Sequence, residues 1–239
     1  MTIGRVLRTV LAGLALPVCV GAQSLKDLVA FSALVVSPVG ALPPAGTEIG
    51  PRDRTTVSLR YGSWRYDIDD GSHNNFGITV TQRIGHTRTT VSLTAALLTL
   101  NCGCSKWTSG GVGVKSVLWG RGGSGASDRS VFAALDLAAG GARFAGAGHA
   151  RALSASSSLD VGGGLPLFHG MRLSGSFMPG LGFGRFDSVE ASASGFRPLI
   201  GAAASVRFGR HVSLDLGLQK IVLSGGPTQF GGGLSWYRR

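Results

Sequence analysis

The stretch Val212-Ser213-Leu214-Asp215-Leu216-Gly217-Leu218-Gln219 decides the fold. Val212, Leu214, Leu216 and Leu218 share one parity; Ser213, Asp215, Gly217 and Gln219 share the other. A period of two means a β-strand, because successive side chains leave opposite faces of a pleated chain. Working outward, related runs recur at Thr55–Tyr66, Phe76–Ile84, Thr87–Leu100, Gly111–Trp119, Ser130–Arg143, Leu153–Leu165, Met171–Phe183, Pro198–Phe208, His211–Val222 and Phe230–Tyr237. Most reach the roughly ten residues that a tilted membrane strand requires.

The charges in these runs follow one rule. Arg83 opposes Ile78, Val80 and Ile84 in parity, Arg88 opposes Val91 and Leu93, and Lys115 opposes Val112 and Val114. Asp136 sits between Leu135 and Leu137, Asp160 between Leu159 and Val161, and Asp215 between Leu214 and Leu216. Arg172 sits between Met171 and Leu173, and Arg207 between Val206 and Phe208. All eight are expected to point into a polar lumen, with the apolar face toward lipid. An Arg or Lys on the lipid face costs about 2–4 kcal/mol at mid-membrane. Several such errors would consume the roughly 5–15 kcal/mol by which a domain is stable. Arg129, Arg143, His211 and Lys220 break the rule near strand ends, where long side chains reach headgroups. In the first run Val57, Leu59 and Tyr61 oppose Trp64 and Tyr66 in parity. A bulge at Gly62 is expected to switch the face, and it decides whether Arg60 joins the lumen.

The same alternation suits a soluble β-sandwich with one buried face. A sandwich would place Lys, Glu and Thr on its polar face. Here that face is Gly, Ala and Ser, Gly being the commonest residue at 39 copies. Trp64, Tyr66, Trp119, Phe183, Phe208, Trp236 and Tyr237, near strand ends, suit interface girdles. The barrel is therefore favoured over an exported sandwich. Its turns at Gly85-His86, Pro166–Gly170 and Gly209-Arg210 are short. Its other connections, Asp67–Asn75, Asn101–Gly110, Phe144–Ala152, Gly184–Arg197 and Leu223–Gln229, are longer. Gly120–Arg129 is too long for the short set, which leaves eight or twelve strands compatible besides ten.

The N-terminus fits export. Arg5 and Arg8 precede the apolar run Val10–Val20, and Val20-Gly21-Ala22 offers a cleavage site, so residues 1–22 read as a signal peptide. Leu16-Pro17-Val18-Cys19 lacks the small residue expected before a lipidated cysteine. Loss of Arg5 and Arg8 takes the formal charge from +11 to +9. Such an excess attracts anionic lipid. Nucleic acid is not expected, since no basic run carries interleaved aromatics. Residues 23–54 read as a periplasmic leader or short plug, with Pro38, Pro43, Pro44 and Pro51 ending any helix. Residues 55–239 are expected to form the barrel. Cys102 and Cys104 would meet an oxidising compartment. Their spacing leaves a strained local disulfide, two free thiols or half a metal site, and a disulfide is favoured over a metal.

No catalytic, cofactor or metal residues are expected. His73, with Asp69 and Asp70 nearby, His149 and Glu190 fall in the longer connections; His86, His169 and His211 fall in or beside the turns. Solvated loop residues account for them better than an acid–histidine site. The serines show no GxSxG elbow, and Gly120–Gly125 lacks the Lys and Ser/Thr of a phosphate loop. The lumen charges read either as a filter with mild anion preference or as an ion-paired core that closes the barrel, and closure is favoured.

The signal peptide, the strand pattern and the last run, Phe230-Gly-Gly-Gly-Leu-Ser-Trp-Tyr, resemble the small outer-membrane β-barrel proteins of diderm bacteria, the porin-like and OmpA-like barrel group. The resemblance covers about Thr55–Tyr237. It implies residence in the bacterial outer membrane among phospholipid and lipopolysaccharide, as a monomer. It also implies recognition of Phe230 to Tyr237 by the barrel-assembly machinery, although Arg238-Arg239 follow the terminal aromatics. The expected architecture is all-β, an antiparallel up-and-down transmembrane barrel of about ten strands. The expected role is structural, surface-interacting or narrow-pore, and not catalytic. A barrel hydrolase acting on envelope lipid or peptide is the alternative.

Overall fold

The computed structural model describes residues 54–65, 72–100, 106–122, 129–144, 150–168, 170–188, 192–222 and 226–238. The expected signal peptide, the expected leader apart from Arg54, and the Cys102/Cys104 pair lie outside the described residues. The strands are β1 Thr55–Arg65, β2 Ser72–Arg83, β3 Thr89–Leu100, β4 Lys106–Gly122, β5 Ser130–Phe144, β6 Arg151–Pro166, β7 Met171–Asp187, β8 Ser192–Phe208, β9 Val212–Ile221 and β10 Thr228–Arg238. Each pairs antiparallel with its sequence neighbours, and β1 pairs with β10 to close a ten-stranded barrel. Ten strands replace the eight or twelve that the 120–129 connection left open. β4 runs on to Gly122, so that connection shrinks to 123–129.

An even strand count puts the start of β1 and the end of β10 on one rim, the terminal rim. Among the described residues, three turns there use a glycine in the left-handed region: Gly85 (φ 52°), Gly170 (φ 75°) and Gly209 (φ 58°). Glycine adopts that conformation without the Cβ clash other residues meet. Opposite, at the distal rim, the connections are 66–71, 101–105, 145–150, 188–191 and 222–227. They are shorter than the sequence suggests, because strands grow into the expected loops. Gly184–Asp187 and Ser192–Arg197, read as loop, pair with each other in β7 and β8. Ser192–Arg197 is mostly Ser, Ala and Gly and Gly184–Asp187 is Gly-Arg-Phe-Asp, so neither shows an apolar alternation, yet a closed sheet still pairs their backbone groups.

The expected bulge in β1 is absent. β1 holds one register with β2 and β10 from Thr55 to Arg65. Trp64 therefore faces the lumen, 0% exposed, while Tyr61 faces out. Neighbouring inward side chains enclose the indole at that level, so no parity switch is needed. The irregularity lies instead in β4, between Val117 and Trp119. There Leu118 and Trp119 both face outward, 64% and 42% exposed, and Gly120 returns to the lumen side.

The barrel is inside out relative to a water-soluble domain. Leu93, Val112, Phe177, Leu216 and Phe230 are exposed, and Asn75, Asp160, Ser213, Gln229 and Ser235 are fully buried. Just inside the distal rim an apolar cluster of Leu98, Trp107, Ala142 and Ala152 packs with Phe144, Ala150 and Phe186. The Trp107 ring lies 5.2 Å from Phe144 and 6.0 Å from Phe186.

Candidate functional site

The lumen holds the chemistry-bearing residues, in two polar groups on opposite walls. On β4–β6, Lys115 forms an ion pair with Asp160, which is fully buried. Asp136 stands directly across the ladder from Lys115, so one ammonium lies between two carboxylates on successive strands. The Phe132 ring sits 5.4 Å from the same ammonium. Gly162 makes room for that ring: a Cβ there would stand 2.9 Å from Phe132 Cζ.

On β8–β10, Asp215 accepts hydrogen bonds from Ser205 (2.6 Å), Ser213 (2.9 Å) and Ser235. Ser58 of β1 bonds Ser235 at 2.8 Å, and Tyr237 Oη lies 2.9 Å from Ser213 Oγ. Hydroxyl donors stabilise a carboxylate that has left water. Arg60 links the two walls: its buried guanidinium lies in the fields of both Asp215 and Asp136. The lumen thus carries charge on both walls, with Arg60 between them.

Nearer the terminal rim, Arg172 is buried and donates to Ser130 Oγ. Arg207 lies 3.9 Å over the Tyr237 ring and donates to the Arg210 carbonyl at 2.6 Å. Arg83 is half-buried at the last position of β2. Arg88 is a correction. It precedes β3 in an exposed turn, because Thr87 Oγ bonds the Ile84 carbonyl at 2.6 Å and accepts from the Thr89 amide at 3.2 Å, delaying the strand. Two of the expected girdle aromatics, Trp64 and Tyr237, lie in the lumen, whereas Trp119, Phe208 and Trp236 face outward. Sequence reading missed the serines around Asp215. Their lumen parity was visible, but the register that joins β1, β8, β9 and β10 was not.

His73, expected in a loop, is in β2 on the lumen side, paired in register with Trp64. His86 is in the exposed β2–β3 turn, and His211 Nδ1 is 3.4 Å from the Tyr237 carbonyl oxygen. His149, His169, Asp69, Asp70 and Glu190 lie outside the described residues. Beside Trp64, Gln229 is fully buried with neither amide atom hydrogen-bonded. Leaving a buried polar group unsatisfied costs about 1–3 kcal/mol. Gln229→Leu is therefore expected to raise the denaturation midpoint of the detergent-folded barrel, by about 1 kcal/mol in unfolding free energy. A lowered midpoint would show that the amide is satisfied in solution.

No family model and no curated protein matches the chain. Solved structures that do match are outer-membrane barrels. Ail, the attachment invasion locus protein of Yersinia pestis, is 13% identical, with 78% of this chain and 99% of Ail covered at a TM-score of 0.35. The N-terminal barrel of Pseudomonas aeruginosa OprF is 11% identical, with 78% and 100% covered at 0.31. The translocator domain of the Neisseria meningitidis autotransporter NalP is 11% identical, with 81% and 90% covered at 0.30. Scores this low leave the reading of the chain to its own geometry.

Proposed function

We propose that the chain is a bacterial outer-membrane β-barrel with a closed lumen, acting as a structural or surface-interacting protein of the envelope. The observation that carries this reading is the inversion of polarity across the barrel wall. Exposed leucines, valines and phenylalanines encircle it, while a half-buried lysine with buried aspartates and serines lies inside. Soluble monomers rarely expose contiguous apolar patches beyond a few hundred Å². A closed barrel also satisfies its backbone groups without water, as hydrocarbon requires. The terminal rim, with its glycine turns, would face the periplasm, and Phe230–Tyr237 would carry the assembly signal.

Closure of the lumen argues against the narrow-pore role. Side chains buried beyond the reach of water occur near the distal rim (Trp64, Gln229), at mid-height (Asp160) and toward the terminal rim (Ser213, Ser235). In a planar bilayer the mature chain is expected to give no stepwise ion current above the lipid background. Discrete openings would overturn the closed lumen and revive the pore. The membrane reading is checked separately: the unboiled protein, folded in detergent, should migrate differently on a denaturing gel from the boiled one. A water-soluble protein with no such shift would sink it.

A further inference from the structure

We infer that the outer wall from β2 to β7 is a docking site for one class of amphiphile, a phosphate-bearing acylated lipid of the outer leaflet; this deepens the membrane reading above and rests on it. The first observation is a group of outward-facing cations at the distal rim. Lys106, Arg143, Arg151 and Arg185 lie on four successive strands and are all exposed. Arg143 and Arg151 stand directly opposite each other across β5 and β6. Lys106 is diagonal to Arg143, since Arg143 pairs with Thr108, and Arg185 is diagonal to Arg151, which pairs with Asp187. Direct neighbours in such a ladder have Cβ atoms about 4.5–5.5 Å apart and diagonal ones about 7–8 Å.

Like charges directly opposite destabilise a sheet. Asp187 is the acid that faces this group among the described residues, and it already accepts from Arg185 at 2.9 and 3.3 Å and from Ser192 at 2.5 Å. Among the described residues, four cations against one carboxylate leave an unbalanced positive field at headgroup height. A phosphate supplies what that field lacks, because it accepts bidentate bonds from guanidinium groups.

The second observation is independent of charge. Toward mid-membrane, below Lys106 and Arg143 and reaching sideways from β5 to β2, the wall is hollowed. A shallow apolar depression of about 700 Å³ is lined by Ile78, Val80, Leu93, Ala95, Gly110 and Val112, among others. Gly110 lies four residues below Lys106, and Ala139, also in the lining, lies four below Arg143. At about 3.4 Å per residue, the near edge of the hollow is about 14 Å along β4 and β5 from Lys106 and Arg143. That spacing suits a lipid whose phosphate sits on Arg143 and Arg151 while an acyl chain descends over Gly110 and Ala139.

The test uses the full mature chain folded in neutral detergent and native mass spectrometry to count retained lipid. The probes are lipid A bearing its phosphates, the same lipid A stripped of phosphate, and inorganic phosphate. Wild type should retain the phosphorylated lipid at least tenfold more tightly than the stripped one, with affinity falling as salt rises. The double variant R143Q/R151Q should lose at least tenfold. Gly110→Leu fills the hollow, and a Cβ there meets only the Thr94 carbonyl oxygen at 3.8 Å, so the barrel should fold. It should weaken the phosphorylated lipid severalfold and leave inorganic phosphate unchanged. Equal retention of both lipids, or lipid binding unaffected by R143Q/R151Q, overturns the site. Inorganic phosphate bound as tightly as the lipid, with Gly110→Leu silent, makes it an anion site and overturns the acyl half. Heat-dependent gel migration of the same samples separates the two readings. Wild type that shifts but retains no lipid overturns the docking site alone, and wild type that does neither overturns both.

Discussion

Asp160→Ala should lower the unfolding free energy of the folded barrel by about 3–5 kcal/mol, the penalty for breaking a buried ion pair from one side. Asp160 is fully buried and is bonded to the Lys115 ammonium. Its loss leaves that ammonium, whose side chain is 17% exposed, largely cut off from water in the lumen. Asp136, directly across the ladder, takes over part of the partnership, so the lower end of the range is expected. The paired replacement Lys115→Met with Asp160→Leu removes both charges. It should recover most of that loss, because burying two charges costs about as much as their attraction returns, the remainder being the cost to Asp136 of losing the same ammonium. Denaturant unfolding in detergent, followed by tryptophan fluorescence, measures both. A single variant within about 0.5 kcal/mol of wild type, the range of an ordinary surface substitution, would mean that the lumen is hydrated and the pair screened.

Leu216→Arg should cost about 2–4 kcal/mol in a lipid bilayer, the penalty for a guanidinium on the lipid face at mid-membrane. Leu216 is 59% exposed and central in β9, paired with Gly232 and Ala204. The value of this variant is that the two environments predict different results. On a water-facing surface the same substitution would fall within about 0.5 kcal/mol of wild type. Lys220, four residues on and on the same face, supplies the control. Lys220→Leu should be near neutral in the bilayer, because at the rim its ammonium already reaches headgroups. A neutral Leu216→Arg in reconstituted vesicles would falsify the membrane reading.

The fold was legible because two constraints act at once on each residue of a membrane strand. Pleating sets the period and lipid sets the sign, so Leu214, Asp215 and Leu216 declare both element and face. The ten runs correspond to ten strands for that reason. Legibility failed where either constraint slackens. Ser192–Arg197 and Gly184–Asp187 carry little apolar contrast, and only the closed hydrogen-bond ladder makes them strand. Trp64 and Trp107 misled or escaped notice because a small barrel fills its own interior, and large aromatics serve there as well as at the lipid boundary. Arg88 failed by one residue, through a threonine side chain that closes the turn. Within the lumen, the sign of each charge position was readable from parity, while its partners were not. Lys115 and Asp160 are two strands apart, and Ser58 and Ser235 meet only through closure. Those pairings depend on register around the whole circumference, which no local pattern encodes.

The buried bond between Ser58 and Ser235 joins residues 177 positions apart, across the seam of first and last strands. It dictates an order of events. Until β10 reaches β1, Ser235 lacks its Ser58 partner, and Arg60 lies apart from the wall that carries Asp215. An open sheet of ten strands would therefore leave Ser58, Arg60 and Ser235 facing solvent at its edges while it waited to close. Contacts of such long sequence separation form late and slowly. The seam behaves as a latch whose inner surface is assembled by the act of closing. Half-closed intermediates gain little from it, and the finished barrel gains its electrostatic centre in a single step.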